Sequence, residues 1–360
     1  MKSALAFPKI AGIRVYIHWT FSLIILYIIY VNAKAGLTPL EIGWSVLFVL
    51  SLFVCVTLHE LGHATAAKRY GIKTKDITLY PIGGVARLEK MPEKPVQELV
   101  VALAGPLVNV VIMLALLPFI LDFNIPEEEV NEVLVVGPDN FLAMLGIVNV
   151  WLALFNLIPA FPMDGGRVLR ALLAMKTNRV SATQTAALVG KILAIGFIIA
   201  GFYMNPFLIF IGIFIILGAQ AEAEMVKTQF FISDLKASDA LMTSFGRMDK
   251  NEPIGRAVRM LLDGESKHFL ITDEGVPYGT VGRDQIIKGI KDFGEEAAVD
   301  KIAERKIFSV TPDTSLNDVF TGFQQSGAPF VLVRSGEEIY GIIDSENIAE
   351  LIMVRSARQH

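Results

Sequence analysis

The residues best suited to chemistry are His59, Glu60 and His63, which form the pattern HELGH. On a helix, histidines at this spacing lie on one face about one turn apart, so both imidazoles can bind one Zn²⁺ ion. Glu60 would then lie beside the metal as a base. By itself the pattern is equally typical of a polar helix end. Residues 44–58 before it are predominantly apolar, however, so it falls at membrane depth, where ionisable side chains are costly and usually functional.

Asp164 is a candidate third ligand. A catalytic zinc site takes three protein ligands and keeps an open position for water. Asp164 lies in residues 156–167, NLIPAFPMDGGR, and can supply a carboxylate from another helix. The prolines and glycines of this segment predict bent backbone, which is tolerated at membrane depth only where it lines protein or a wet cavity. A loop that ends a helix, with Asp164 as its N-cap, is an equally good interpretation of the segment alone.

Asn109 and Cys55 are two further candidates. Asn109 belongs to AGPLVN, in which Pro106 predicts a kink in a helix. Close to a metal, its amide could orient the substrate backbone or stabilise a developing oxyanion. A hydrogen bond between helices is the alternative without a catalytic role. Cys55, the single cysteine, precedes His59 by one turn and could be a thiolate ligand, but we expect a small buried apolar residue.

Membrane spans are predicted from the apolar runs of the sequence. The chain is 53% hydrophobic, and its charged residues are concentrated toward the C-terminal third. A helix needs about 20 apolar residues to cross the hydrocarbon core. The sequence therefore predicts a multi-pass α-helical membrane protein with about six transmembrane helices, at residues 15–31, 42–66, 99–121, 141–158, 186–204 and 207–225.

The loops between these runs predict the topology. Residues 67–95 and 165–180 contain several Lys and Arg, whereas residues 122–139 contain four Glu but neither Lys nor Arg. Because basic loops stay in the cytoplasm, the first two loops should lie inside and the acidic loop outside. Both termini are therefore expected in the cytoplasm of a cell-membrane protein.

Together the motifs resemble the core of the site-2 proteases, zinc metalloproteases that cut within membranes. HELGH, GPLVN and NLIPAFPMDGGR follow one another in the second, third and fourth runs, and the resemblance covers about residues 10–226. It implies an enzyme that hydrolyses transmembrane protein substrates in the lipid bilayer. The metal ligands it implies for one Zn²⁺ are His59, His63 and Asp164. The catalytic residues it implies are Glu60, which activates water, and Asn109, which assists.

The sequence also predicts a strand-forming loop, and it leaves two alternative functions open. Residues 79–88 predict short extended segments around a Gly-Gly bend and resemble a strand-forming loop of that family. A metal or ion transporter would also place His and Asp in membrane helices, but it would not need Glu60 between the histidines. A proteolytically inactive membrane sensor is the second alternative. Nucleic acid is not an expected partner, because the formal net charge is only -4 and basic residues form no block.

The C-terminal part contains an internal repeat of about 62 residues. Ile254 aligns with Leu316, and the triplet FLI at residues 269–271 aligns with VLV at residues 331–333. Each copy predicts a helix, two strands and a second helix, and the copies should pack together to cover their apolar strands. The repeat resembles a tandem pair of cystathionine-beta-synthase (CBS) type modules, a soluble α/β fold.

The predicted domains are a membrane protease core at 1–226, a linker at 227–233, CBS repeat 1 at 234–292 and CBS repeat 2 at 297–354. CBS pairs often bind adenosyl ligands, through a Ser or Thr and then an Asp after the strand glycine. The corresponding residues here depart from that pattern: Gly282, Gln285, Asp344 and Asn347. The resemblance therefore implies a regulatory module in the cytoplasm that binds an adenine nucleotide weakly. The oligomeric state stays open.

Overall fold

The computed structural model describes residues 4–358, except 11, 82, 89–91, 93, 124–134 and 265. Most of the acidic loop predicted at 122–139 therefore lies outside the described residues. The chain divides into two compact units, Met1–Val226 and Lys227–His360.

Helices dominate the described part of the first unit. They are α1 (Phe21–Lys34), α2 (Pro39–Arg69), α3 (Pro95–Asp122), α4 (Phe141–Asn156), α5 (Asp164–Ala174), α6 (Arg179–Tyr203) and α7 (Phe207–Ile232). Within the residues described, four of these helices are long and apolar enough to cross a membrane, namely α2, α3, α6 and α7. α1 and α4 are apolar but contain only 14 and 16 residues. A helical membrane architecture is confirmed, but the predicted count of six spans is not.

The first predicted span, residues 15–31, is wrong at its N-terminal end. Residues Ile13–His18 form a strand, and α1 begins only at Phe21. The physical reason is a short alternation of apolar and polar side chains, in which Ile13 and Val15 are buried and Arg14 is exposed. This period of two favours a strand, although the apolar run continues into the helix without a break.

α2 begins at a well-defined cap and carries the HELGH pattern near its end. Thr38 and Glu41 form a reciprocal capping box, in which the Thr38 backbone N–H donates to Glu41 Oε2 at 2.7 Å. Pro39 takes the first helical position, where its missing N–H leaves no bond unmade. The helix ends at Arg69, and Gly71 follows with a φ of 76°. α2 thus has 31 residues, and both histidines lie within its regular helical part.

A four-stranded sheet packs beside α2. Its strands, in spatial order, are β1 (Ala4–Ile10), β2 (Ile13–His18), β3 (Thr74–Tyr80) and β4 (Gly83–Leu88). β2 and β3 are parallel, whereas β3 and β4 form an antiparallel hairpin in which Tyr80 pairs with Gly83. Ile77 and Leu79 of β3 pack with Leu61 and Ala64 of α2 in one buried cluster. The hairpin predicted over residues 79–88 is therefore present, and β4 lies at the sheet edge.

The second unit contains two copies of one motif. The first copy consists of β5 (Gly246–Asp249), α8 (Ile254–Leu262), β6 (His268–Asp273), β7 (Val276–Gly282) and α9 (Arg283–Phe293). The second consists of β8 (Ser309–Val310), α10 (Leu316–Ser326), β9 (Val331–Ser335), β10 (Glu338–Ile343) and α11 (Ser345–Arg358). Each copy forms its own three-stranded sheet. The predicted order of helix, strand, strand and helix is confirmed, with a short extra strand before each first helix.

The two copies pack together, as expected. Leu270 of the first copy shares a buried cluster with Phe330, Leu332 and Ile342 of the second. The segment before the first copy packs against the second copy: Ile232, Ala237 and Ala240 are part of the hydrophobic core of the second copy. Residues 227–232, predicted as a linker, continue α7.

Candidate metal centre

Two helices bring His59, His63 and Asp164 together: α2 carries both histidines, and α5 begins at Asp164. The two Nε2 atoms lie 3.1 Å apart. Asp164 Oδ2 lies 3.1 Å from Nε2 of His59 and 3.0 Å from Nε2 of His63. Each of the three residues is only 6% exposed. Within the described part of the chain these are the three side chains whose donor atoms cluster in a metal-binding arrangement, and they are the three predicted ligands.

Both histidines are oriented by a hydrogen bond from the other ring nitrogen. Nδ1 of His63 lies 2.7 Å from the carbonyl oxygen of Val101, and Nδ1 of His59 lies 2.5 Å from Oδ1 of Asn109. Because both partners are acceptors, each Nδ1 carries the proton and donates it. Nε2 is then left with its lone pair directed at the cluster, which is the tautomer that binds a metal.

Asn109 is fully buried and belongs to a chain of amides. Its Nδ2 donates to Oδ1 of Asn149 at 2.9 Å, and Asn149 Nδ2 donates to the carbonyl oxygen of Leu145 at 2.8 Å. Both polar atoms of the Asn109 amide therefore have protein partners. This arrangement favours an orienting role toward His59 over the direct contact with an oxyanion considered from the sequence. Asn149 was missed there; the signal was a polar residue within an apolar run.

Asp164 is the first residue of α5, not an extension of α4. The N-cap of α5 is Met163, so the interpretation of Asp164 as a capping residue is wrong. The two glycines after it let α5 start against the preceding loop. A Cβ atom on Gly165 would lie 2.2 Å from the carbonyl oxygen of Ile158, and one on Gly166 would lie 2.7 Å from the carbonyl carbon of Ala160. Gly165 and Gly166 thus allow the close packing that determines the position of Asp164.

The donor set and the space around it fit one Zn²⁺ ion. Two imidazole nitrogens and one carboxylate oxygen are the ligands of a catalytic zinc site, which leaves a fourth position for water. Gly105 of α3 makes room for this centre, because a Cβ atom there would lie 2.2 Å from Nε2 of His63 and 2.7 Å from Nε2 of His59. Cys55 is buried but is not part of the cluster; its Sγ lies 3.5 Å from Nδ2 of Asn149.

Glu60 joins the centre to the edge strand β4. Its Oε2 accepts a hydrogen bond from the backbone N–H of Ala86 at 3.2 Å. Gly84 lets the strand approach, since a Cβ atom there would lie 2.9 Å from Cγ of Glu60. The predicted base on α2 is therefore hydrogen-bonded to β4, the edge strand of the sheet.

A His-His-Asp donor set with an adjacent carboxylate, buried among apolar helices, defines a membrane metalloprotease. Residues 47–200 match the model of Peptidase family M50, and residues 299–354 match that of the CBS domain. A zinc metalloprotease of Methanocaldococcus jannaschii is 33% identical over 98% of this chain and 96% of the relative. The chain therefore belongs to the M50 peptidases, the site-2 protease family, and the resemblance described from the motifs is confirmed.

The chain is also similar to two further proteins. Rip3 of Mycobacterium tuberculosis is 28% identical over 98% of this chain and 94% of the relative. The solved structure of a site-2 protease from Methanocaldococcus jannaschii is 39% identical and covers 61% of this chain and 95% of its own, with a TM-score of 0.45. Family membership supports a protease rather than the transporter considered from the sequence.

Proposed function

We propose that this chain cleaves transmembrane segments of membrane-protein substrates inside the bilayer, with His59, His63 and Asp164 as the ligands of one zinc ion. The observation that carries the proposal is the convergence of these three buried donors between apolar helices, next to the edge strand β4. Ionisable side chains among apolar membrane helices usually mark a functional site, which supports a substrate that also lies in the membrane.

Each residue of the site has a separate role in the proposed hydrolysis. Zinc held by His59, His63 and Asp164 would supply Lewis acidity for the scissile carbonyl and for the attacking water. Glu60 takes the proton of the attacking water and later passes a proton to the leaving amine. Asn109 and the Val101 carbonyl hold the two imidazoles in the tautomer described above.

β4 presents the substrate to this centre. A transmembrane helix hides its peptide bonds, because each backbone group is already paired within the helix, so local unwinding must precede attack. Pairing of the opened segment with the outer edge of β4 would bind backbone rather than side chains and so would tolerate many sequences. Ala86 N–H is engaged with Glu60 at 3.2 Å, which places any such peptide beside the base.

The C-terminal unit is proposed to be a regulatory module in the cytoplasm. The basic loops at 67–95 and 165–180 support a topology in which both termini lie inside. A ligand of this unit changes cleavage only if it favours one arrangement of the two copies over another. Truncation after Lys227 tests the regulatory role, since unchanged cleavage and unchanged response to nucleotide would remove it.

Metal analysis and cleavage of a transmembrane substrate by the purified full chain test the central proposal. Glu60→Gln should keep zinc and lose about 10²- to 10⁴-fold in rate, because only the base is removed. Asp164→Ala should lose zinc, because two imidazoles remain. Glu224→Gln, the same change on an exposed position of α7, is the matched control. Cleavage by Glu60→Gln at the wild-type rate would show that the mechanism is wrong.

A further inference from the structure

A buried ionic cluster lies among three helices of the first unit and was not predicted from the sequence. Its centre is Arg170 of α5, which is 0% exposed. Nε and Nη2 of Arg170 donate to Glu98 Oε1 of α3 at 2.8 and 2.5 Å, and Nη1 donates to Glu222 Oε1 of α7 at 2.5 Å. The guanidinium also lies over the ring of Phe161, 5.0 Å from its centroid.

Such a cluster persists in an apolar bundle only because its charges are paired. Two cations face the two carboxylates: Arg170, and Arg179, whose Nη2 lies 3.9 Å from Glu98 Oε1. Glu98 is 4% exposed, and the Glu222 side chain is 13% exposed. Removing one partner would leave a buried charge without compensation, whereas the intact set satisfies the planar donor fork of arginine. Its geometry is therefore strongly specified, and it fixes the relative positions of the helices that contribute to it.

The cluster joins the element that carries the third ligand to the element that orients the histidines. α5 begins at Asp164, and Arg170 lies less than two turns later. α3 contributes Glu98 in its first turn, and the Val101 carbonyl that binds Nδ1 of His63 follows within the next turn. The Arg170–Glu98 contact thus sets how α5 stands against α3, next to the point where α3 holds an imidazole.

We propose that Arg170 is a positioning residue of the metal centre. By bonding Glu98 and Glu222 it holds α5 in the register that keeps Asp164 Oδ2 within reach of both Nε2 atoms, at 3.1 and 3.0 Å. The proposal rests on the ligand set given under the proposed function. Glu98 receives two donors and Glu222 one, so loss of Glu98 should disturb the centre more.

Zinc affinity of the full chain in detergent, measured by competition with a chelator, tests this role. Arg170→Lys keeps the charge but loses the fork, and we expect zinc affinity to fall about 10- to 100-fold, as for other residues that orient ligands. Glu222→Gln should lower zinc affinity less than Arg170→Lys does, because the amide oxygen still accepts one hydrogen bond. Excess zinc should restore cleavage by Arg170→Lys, because every ligand and the base are present, but should not restore Glu60→Gln.

Phe48→Leu is the matched control for a purely structural effect. Phe48 packs edge-on against Phe141, with ring centroids 5.8 Å apart, about three turns of α2 before His59. This change should lower the melting temperature and leave zinc affinity unchanged. Wild-type zinc affinity in Arg170→Lys, or a loss that excess zinc does not rescue, would overturn the proposal. If Arg170→Lys does not fold, Glu222→Gln decides by the same two criteria.

Failure of this proposal is distinguishable from failure of the proposed function. If the wild type binds zinc, Glu60→Gln is inactive and Arg170→Lys behaves as wild type, then only the positioning role is wrong. If Asp164→Ala keeps zinc at the wild-type affinity, the ligand set itself is wrong, and the role of Arg170 falls with it.

Discussion

The Oδ1 atom of Asn109 lies 2.5 Å from Nδ1 of His59, 50 residues away along the chain. Partners of this kind fix the ring orientation and the tautomer of a ligating histidine, and their loss typically lowers metal affinity 10- to 100-fold, as an order of magnitude. We expect Asn109→Ala to lower zinc affinity by about this factor while the protein stays folded. Chelator competition on purified protein measures it.

Asn149→Ala provides the matched comparison. Asn149 contacts Asn109 rather than the histidine, through the 2.9 Å bond to its Oδ1. Its loss should therefore weaken zinc binding less than the loss of Asn109. Equal effects of the two changes would contradict the direct orienting role and would indicate that the whole amide chain matters only for helix packing.

Gly105→Ala should abolish zinc binding by steric exclusion. The added Cβ atom would lie 2.2 Å from Nε2 of His63, which no shift of a flexible side chain can relieve without moving the imidazole. Gly196→Ala on α6 is the control, because a Cβ atom there meets nothing within 4 Å among the described residues. Metal content of the two purified variants distinguishes them. Full zinc occupancy in Gly105→Ala would show that the centre is more open than the structure describes.

The HELGH helix was predictable because its information is local. Two histidines one turn apart need only regular helix to share a face. Asp164 was a candidate because a catalytic zinc site needs a third protein ligand, and the resemblance to a family implied the same residue. The Arg170 cluster was not predictable in this way. Glu98, Arg170 and Glu222 belong to three different helices, and their contact depends on how those helices pack.

Strand β2 was missed for a related reason. Its alternating pattern covers only Ile13–His18, and the apolar residues of α1 follow almost directly, so one long apolar run hid two elements. The hairpin of β3 and β4 was easier, since Gly83 and Gly84 interrupt the pattern. Gly83 has a φ of 136°, a conformation that favours glycine.

Membrane topology can be tested by cysteine labelling in a Cys55→Ala background. Cysteines introduced at Glu128 and at the exposed Lys176 should label from opposite faces of the membrane, because the first lies in the acidic loop and the second in a basic one. Membrane-impermeant reagent on sealed vesicles of known orientation makes the measurement. Labelling of both positions from the same face would contradict the placement of both termini in the cytoplasm.

The contact between Asp344 and His268 predicts how the second unit responds to acid. Burial disfavours the charged carboxylate, but the 3.2 Å contact with Nε2 of His268 and the N–H of Asn347 outweigh burial and hold the pKa of Asp344 below its ordinary value. A lowered pKa in the folded state stabilises the fold above the unfolded pKa, and this contribution is lost as pH falls below about 4.

Asp344→Asn should therefore reduce the loss of stability between about pH 5 and pH 3. Hydrogen exchange of β9 and β10, corrected for intrinsic rates, reports the local stability of the folded chain. Asp292→Asn, on the exposed surface of α9, is the control and should leave the pH response as in the wild type. An unchanged acid response in Asp344→Asn would show that the contact with His268 does not stabilise the unit.

Adenine nucleotide should bind the second unit weakly. Two of the side chains at the expected ribose positions already accept hydrogen bonds from backbone N–H groups at the start of a helix. Gln285 Oε1 accepts the N–H of Gly282 at 2.5 Å, and Asp344 Oδ1 accepts the N–H of Asn347 at 2.8 Å. A negative charge at Asp344 also repels phosphate. Calorimetric titration of the full chain with ATP should show no saturation up to about 1 mM, a standard free energy weaker than about -4 kcal/mol.

A double substitution tests whether Asp344 limits the binding of ATP. Asp344→Thr together with Asn347→Asp restores the hydroxyl and the carboxylate that CBS pairs use for adenosyl ligands, and it removes the charge that faces phosphate. ATP affinity should rise at least about tenfold, which corresponds to 1.4 kcal/mol. Asn347→Asp alone is the matched control, because it adds the carboxylate but keeps Asp344. Micromolar binding of ATP by the wild type would contradict the weak-affinity prediction, and no gain in the double variant would show that Asp344 is not what limits the site.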